Sequence, residues 1–188
     1  MGAYEVLGVA TGIVAVWLTT RENVWCWPLG LVNVALFAVV FHEARLYADM
    51  GLQGIYFALC LYGWCAWLTG GPAHGRLRVT RTPRSALLAL GVIGVAAAFG
   101  LGFVLRTRTD AALPFWDAGT ASFSLVAQAM QTRKWIENWL IWIAVDLVYI
   151  GMYVAKGLFL TAGLYAVFLG LAVAGLSHWG RTLREASA

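Results

Sequence analysis

Residues 134–153 read KWIENWLIWIAVDLVYIGMY. This run is long enough to cross a bilayer as one helix, which needs about 20 mostly apolar residues. It nevertheless carries Glu137 near one end and Asp146 near its middle. A carboxylate at the centre of a bilayer costs at least about 2.5–3.5 kcal/mol on insertion scales. The segment therefore predicts a transmembrane helix whose Asp146 side faces the interior of a helix bundle.

The composition of the whole chain extends this prediction. Of its 188 residues, 61% are hydrophobic and 12% are charged, and the mean hydropathy is +0.75. Soluble domains carry about 25% charged residues. The apolar residues form long runs, whereas the strands of a membrane barrel would alternate polar and apolar residues. We therefore expect an all-α integral membrane protein.

Seven apolar runs predict seven transmembrane helices, at about 4–20, 24–41, 47–69, 85–105, 113–131, 135–154 and 157–177. The predicted connections are short except for the arginine-rich loop at 71–84.

One face collects nine basic residues: Arg21, Arg76, Arg78, Arg81, Arg84, Arg133, Lys134, Arg181 and Arg184. We call it the basic face; the opposite face has only four. Basic loops stay cytoplasmic, so we expect the N-terminus outside and the C-terminus in the cytoplasm. The net charge of +4 is then a topology signal, and no nucleic-acid partner is expected.

The sequence also suggests an internal repeat. A shift of 112 in residue number, which we call the repeat offset, aligns Thr20-Arg21 with Thr132-Arg133, Leu46-Tyr47 with Leu158-Phe159, and Trp67 with Trp179. A second pattern, Glu22-Asn23…Trp27 and Glu137-Asn138…Trp142, needs an offset of 115 and hence a gap. The interpretation is two parallel three-helix repeats joined by a linking helix (3+1+3), a known transporter plan. The predicted boundaries are 1–69, 70–112 and 113–188. The alternative is that apolar helices resemble each other by composition alone.

Polar and aromatic residues fall on single helix faces. With about 100° per residue, the sixth span places Trp135, Asn138, Trp142, Asp146, Tyr149 and Tyr153 on one face. Similar stripes occur in other spans. The candidate substrate-binding residues are Asn33, Asp49, Gln53, Tyr56, Trp64, Trp116, Asn138, Trp142, Asp146, Tyr149 and Tyr165. Some aromatic residues at span ends are expected instead to anchor the interface with lipid headgroups, namely Trp25, Trp135 and Trp179. Polar stripe residues could also serve only to bond helices together.

No Lys or Arg lies in the middle of any predicted span, which leaves three interpretations of Asp146. Its carboxyl group is protonated, is satisfied by neutral donors, or awaits a cationic ligand. Aromatic faces beside a carboxylate suit a flat cationic ring, because cation–π contacts contribute about 0.5–2 kcal/mol.

Motifs of membrane enzymes and ATPases are absent. The sequence has no H-E-x-x-H, no G-x-S-x-G and no phosphate-binding loop. We expect no catalytic residue, no metal and no cofactor, and the preferred class is a carrier. A membrane enzyme and a structural or receptor protein are the other classes considered.

Four strings carry a family resemblance. They are NVWCWPLGLVNVALFAVVFHEARLYADMGLQ (23–53), LYGWCAW (61–67), LPFWD (113–117) and TRKWIENWLIWIAVDLVYIGMYVAKGL (132–158). Together they resemble the PnuC-type vitamin transporters, whose tryptophan and asparagine motifs match Trp64, Trp67, Asn138, Trp139 and Trp142. Some relatives carry Asn at the position of Asp146.

The resemblance implies a 3+1+3 fold similar to SWEET-type sugar carriers, with its own helix order. It implies a homotrimer in the bacterial inner membrane. It also implies uptake of nicotinamide riboside by facilitated diffusion and alternating access, driven by a cytoplasmic kinase that traps the vitamin. Thiamine and riboflavin are the alternative substrates.

Overall fold

The computed structural model describes residues 3–43, 45, 47–109 and 113–186, apart from the side chains of residues 5 and 47–49. The helices are α1 (Ala3–Thr20), α2 (Cys26–Glu43), α3 (Tyr47–Thr69), α4 (Arg84–Arg108), α5 (Pro114–Thr132), α6 (Asn138–Ala155) and α7 (Phe159–Glu185). A short 3₁₀ turn spans Pro72–His74. Within the described residues, five helices are long and apolar enough to cross a membrane: α2, α3 from Met50 onward, α4, α6 and α7. The predicted all-α membrane fold is confirmed.

Six helices form a closed ring. Going around it, α1 packs on α2, α2 on α3, α3 on α5, α5 on α6, α6 on α7, and α7 returns to α1. The remaining helix, α4, packs along α5, and its residues Leu88, Val92, Phe99 and Phe103 are exposed. Large apolar side chains on an outer helix suit contact with lipid. The ring therefore encloses the interior of the bundle, and α4 lies at its periphery.

Helix α5 differs from the others in its polarity. It buries Thr120, Ser122, Ser124, Gln131 and Thr132, and it packs against α3, α4 and α6. A helix enclosed on several sides by other helices does not need an apolar surface all round. This explains why α5 falls short of the hydropathy of a lipid-facing span although its position was predicted.

Two pairs of tryptophans repeat the same contact in the two parts of the chain. Trp27 meets Trp67 edge-to-face, with ring centroids 5.3 Å apart and planes at 89°. Trp139 meets Trp179 in the same way, at 5.3 Å and 83°. Both members of the second pair follow those of the first by the repeat offset. Trp27 therefore matches Trp139, and the gapped match with Trp142 at an offset of 115 is wrong.

Hydrogen bonds between α1–α3 (the first half) and α5–α7 (the second half) repeat too. The indole N–H of Trp67 donates to the Gln131 carbonyl at 3.0 Å. That of Trp179 donates to the Thr19 carbonyl at 3.1 Å. Positions 19 and 131 are again related by the repeat offset. These matched bonds support the repeat; the 3+1+3 arrangement and its domain boundaries stay predictions, and the Leu46 match and the boundary at 112 lie outside the described residues.

The turns between helices show the same periodicity. Glu22 and Lys134 both have positive φ, 54° and 51°, and so do Arg45 and Gly157, 59° and 71°. Positive φ is uncommon for residues other than glycine. Its recurrence at matched positions therefore means that the two halves turn their chains in the same way.

The position of Trp179 differs from the one predicted. It was predicted to be an interfacial anchor, but its side chain is fully buried. With Trp27, Trp67 and Trp139 it forms what we call the tryptophan cluster, in which Trp67 and Trp179 also contact each other with centroids 5.9 Å apart. Large rings at the meeting point of two halves bury much apolar surface. The cluster is therefore packing between the halves.

The loop after α3 crosses the basic face. Its Leu77 N–H donates to the Trp67 carbonyl at 3.1 Å, and Thr80 pairs with Lys134 and Ile136 through two backbone bonds. Glu137 accepts hydrogen bonds from the backbone N–H and the hydroxyl of Thr82, at 2.8 and 2.7 Å. Glu137 thus fastens this loop to the second half, which accounts for the first carboxylate of the 134–153 segment.

Candidate functional site

A cavity of about 520 Å³ lies inside the six-helix ring. Pockets for small organic molecules usually measure about 300–1,000 Å³. Every helix of the ring contributes to its wall, and α4 does not. The cavity therefore lies between the two halves, where a carrier built from repeats is expected to hold its substrate.

The end of the cavity nearest the basic face is closed by indole rings. Trp27 and Trp139 line the cavity and are each 1% exposed. Trp67 and Trp179 pack beneath them. The indole N–H groups of Trp27 and Trp139 are buried and have no hydrogen-bond partner within the described residues. Ring surfaces therefore form the floor of the cavity, and these two N–H groups are covered by other protein atoms.

An ion pair lies on the basic side of this floor. The Lys134 ammonium is 2.9 Å from a Glu22 carboxylate oxygen and 4.4 Å from the centroid of the Trp67 ring. Glu22 belongs to the first half and Lys134 to the second, and the repeat offset relates their positions. Because both side chains are largely buried, parting the halves here requires breaking a desolvated ion pair.

Asp146 lies on the wall of the cavity. The residue is 4% exposed, and its position on α6 directs it into the ring and away from lipid. Among the described residues, no Lys or Arg forms an ion pair with it, and no basic residue lines the cavity. A buried carboxyl group without a cation favours a cationic occupant or a proton.

Aromatic rings form a wall next to Asp146. Tyr149 and Tyr165 have centroids 4.5 Å apart, and Tyr153 lies 5.8 Å from Tyr149 and 5.3 Å from Tyr165. Phe168 meets Tyr165 edge-on at 5.9 Å. Tyr149 follows Asp146 by one helical turn, so both lie on the same face of α6. Ring faces and a carboxylate are thus presented together.

Amide groups line other parts of the wall. The Asn33 Nδ2 group donates to the Gly8 carbonyl of α1 at 2.6 Å, and Gln53 and Gln128 line the cavity. A Cβ at Gly12 would lie 3.1 Å from Asn33 Nδ2. The small residues of α1 therefore let α2 approach closely enough for Asn33 to bond to its backbone.

The structure brings most of the predicted site residues together. Those that line the cavity are Asn33, Gln53, Tyr56, Trp142, Asp146, Tyr149 and Tyr165. Trp116 does not; it is 58% exposed, near the start of α5. Trp64 packs on the outside of the tryptophan cluster. Asn138 is fully buried one turn below Trp142, and donates to the Trp135 carbonyl at 2.6 Å. The side chain of Asp49 lies outside the described residues.

Several wall residues were missing from the predicted set. Tyr153 belonged to the predicted stripe of the sixth span but was not chosen, and Phe37, Phe41 and Phe168 are apolar rings without a polar signal. Gly8 and Gly12, one turn apart on α1, also line the cavity. Their spacing is typical of close helix packing and could have indicated which face of α1 is internal.

The family described as nicotinamide mononucleotide transporter matches residues 2–181, nearly the whole chain. The chain belongs to this family. One relative, the nicotinamide riboside transporter PnuC of Escherichia coli K12, is 27% identical over 206 residues, covering 96% of this chain and 86% of the relative. The riboflavin/roseoflavin transporter RibM of Streptomyces davaonensis is 26% identical, covering 93% and 83%. Members of the family are named as transporters, so this chain is a membrane transporter and not an enzyme.

A solved structure shares the fold. The crystal structure of the vitamin B3 transporter PnuC superposes with a TM-score of 0.73 at 23% identity, covering 95% of this chain and 81% of that one. At this identity the likeness shows that the two chains share a fold, and no more. A substrate must therefore be argued from the contacts within the cavity.

Proposed function

We propose that this transporter takes up nicotinamide riboside by facilitated diffusion with alternating access. The observation that carries the proposal is Asp146, a buried carboxylate on a cavity wall shared with tyrosine rings and lacking a basic partner among the described residues. Nicotinamide riboside joins a flat cationic pyridinium ring to an uncharged sugar. A cation that meets a carboxylate and ring faces in a site shielded from water is held by both.

The charge of the cavity favours the riboside over the mononucleotide for which the family is named. A mononucleotide carries a phosphate, and phosphates are usually bound by Arg, Lys or backbone N–H groups. The described wall has a carboxylate and no Lys, Arg or His. A phosphate would be left without a counterion in a partly desolvated site.

The remaining wall groups suit the other parts of nicotinamide riboside. The pyridinium ring would stack on Tyr149 or Tyr165 beside Asp146. The ribose hydroxyls and the carboxamide would bond to Asn33, Gln53 and Gln128, which line the wall. In this arrangement the polar groups of the ligand meet polar side chains, as a buried site requires.

The direction of transport is part of the proposal. The basic face is assigned to the cytoplasm of a bacterial inner membrane, with the N-terminus outside and the C-terminus inside, because basic segments stay cytoplasmic. Because the indole floor closes the cavity at the basic face, the substrate would enter this arrangement from the outside. A cytoplasmic kinase would trap the vitamin by adding a charged phosphate, and we propose a homotrimer as the assembly.

Riboflavin is the second candidate, and the relative RibM favours it. Thiamine, a cation with two aromatic rings, is the other alternative from the sequence. Riboflavin has a larger, uncharged ring system and gains no charge attraction from Asp146. Binding of the two cations, nicotinamide riboside and thiamine, should therefore depend on that carboxylate, whereas binding of riboflavin should not.

Uptake into liposomes containing the purified protein tests the proposal. We expect nicotinamide riboside to enter until its internal concentration equals the external one, and nicotinamide mononucleotide to be excluded. Liposomes without protein are the control. Uptake of thiamine or riboflavin alone would overturn the substrate, and accumulation above the external concentration would overturn facilitated diffusion.

A further inference from the structure

Gln131 lines the cavity, and it bonds both to another wall residue and to the closed floor. Its amide oxygen Oε1 accepts the indole N–H of Trp142, a cavity residue, at 3.2 Å. Its main-chain carbonyl accepts the indole N–H of Trp67 from the first half at 3.0 Å. The same carbonyl accepts the backbone N–H of Lys134 at 3.0 Å, whose side chain forms the ion pair with Glu22. Gln131 thus bonds to a residue of the cavity, to Trp67 of the first half, and to the backbone of Lys134, whose side chain pairs with Glu22.

The matched position in the first half lacks one of these bonds. The Thr19 carbonyl accepts the indole N–H of Trp179 and the backbone N–H of Glu22, just as Gln131 does with its partners. The Thr19 hydroxyl instead donates to Ala15 of its own helix at 2.9 Å. The repeat offset matches Trp142 with Gly30, which has no side chain. Thr19 also lines the cavity, so among the described residues the two positions differ in the side-chain bond to a cavity tryptophan, which Gln131 makes and Thr19 does not.

We propose that Gln131 is a positioning residue that couples occupancy of the cavity to opening at the basic face. The proposal rests on the proposed transport function. An occupant stacked against the wall holds Trp142, and Trp142 holds the Gln131 side chain. Because the Gln131 carbonyl bonds to Trp67 across the boundary between α3 and α5, a shift of Gln131 changes the bond that must break when the halves part.

Substitution of the amide separates this role from packing. Gln131→Met keeps the length of the side chain and the main-chain carbonyl but removes the acceptor for Trp142. The matched control is Thr132→Val, one residue along α5, which removes a buried hydroxyl that donates to Ala129 at 2.6 Å. Trp142→Phe removes the donor from the other side of the same bond.

The measurements are the equilibrium dissociation constant and the maximal uptake rate in liposomes, using whichever of the three vitamins the unaltered protein transports. We expect Gln131→Met to transport about fivefold more slowly, the effect of one lost hydrogen bond, and to lose less affinity than Trp142→Phe does. Thr132→Val keeps both values. Trp142→Phe weakens binding and slows transport, and the double variant with Gln131→Met is no slower than Trp142→Phe.

Two results would overturn the coupling role. One is a Gln131→Met protein that transports at the unaltered maximal rate, and the other is rate losses that multiply in the double variant. If Gln131→Met does not fold, Trp142→Phe with an unaltered maximal rate overturns it equally. Uptake of none of the three vitamins by the unaltered protein would instead overturn the proposed function, and the coupling with it.

Discussion

Asp146 shows how one residue can predict both a fold and a ligand. In the sequence it is a carboxylate in the middle of an apolar run, and in the structure it lies on the cavity wall, 4% exposed. Its position could be predicted because a carboxylate in lipid is costly. The positions of Trp64 and Trp116 could not, because a helix with rings on several faces does not show which face is internal.

The charge of Asp146 is the first prediction. Asp146→Asn keeps the shape and removes the charge, so affinity for nicotinamide riboside should fall by about 2 kcal/mol, roughly thirtyfold. Isothermal titration of the purified protein measures this. Glu185→Gln is the control, since Glu185 is an exposed carboxylate at the end of α7 outside the cavity. Equal affinity of Asp146→Asn and the unaltered protein would show that the carboxylate does not meet the ligand.

Tyr149 supplies a ring face in the second prediction. Tyr149→Phe keeps the ring and should bind nicotinamide riboside nearly as well as the unaltered protein. Tyr149→Leu removes the ring face and should lose about 0.5–2 kcal/mol of binding free energy. The same titration compares the two. If the Phe variant binds as poorly as the Leu variant, the hydroxyl and not the ring contacts the ligand.

At the scale of elements, the sequence predicts the positions of the helices better than their ends. The seven apolar runs located the helices, because a run of apolar residues long enough to span a bilayer gives a strong signal in the sequence. The sixth helix begins at Asn138 and not at 135, because Lys134 has positive φ and residues 133–137 form a turn. The seventh continues to Glu185, beyond the predicted residue 177, because hydropathy does not register a helix that leaves the membrane.

Close packing between α6 and α7 gives the third prediction. A Cβ at Gly175 would lie 2.5 Å from Trp139 Cε2, whereas Gly170 on the same helix has nothing within 4 Å. Gly175→Ala should therefore destabilise the protein by about 1–3 kcal/mol through overpacking. Gly170→Ala should stabilise it slightly, because alanine favours a helix by up to about 1 kcal/mol.

Thermal unfolding in detergent separates these two variants. The midpoint should fall for Gly175→Ala and hold or rise for Gly170→Ala. A fall of the same size in both would mean that the loss of glycine in α7, and not the contact with Trp139, sets the stability.

Which residues of the two halves correspond is a property of the whole molecule. The sequence indicated the repeat offset, and a second local pattern, Glu-Asn followed by Trp, aligned Trp27 with Trp142 at the cost of a gap. The structure matches Trp27 with Trp139 through their contacts with Trp67 and Trp179. The repeat offset also pairs Trp27 with Trp139 in the sequence, but the choice between the two matches needs the contacts with Trp67 and Trp179, which join residues distant along the chain.

The ion pair between the halves gives the fourth prediction. Lys134→Gln leaves Glu22 without its cation and Glu22→Gln leaves a largely buried ammonium, so each should lower the unfolding midpoint, consistent with a loss of up to about 3–5 kcal/mol. The exchanged protein, Glu22→Lys with Lys134→Glu, should recover most of it. Because the positions are matched, the new Lys would lie near Trp179, as Lys134 lies near Trp67. An exchanged protein less stable than both single variants would contradict the matched geometry.

The central claim is that the six-helix ring holds a cationic vitamin against Asp146 and its aromatic neighbours. Titration of the purified protein with nicotinamide riboside and with its reduced dihydro form, which keeps the sugar and carboxamide but has no charge, tests it most directly. The account predicts tight binding of the cation, much weaker binding of the neutral form, and loss of this difference in Asp146→Asn. Equal binding of both forms by the unaltered protein would contradict it.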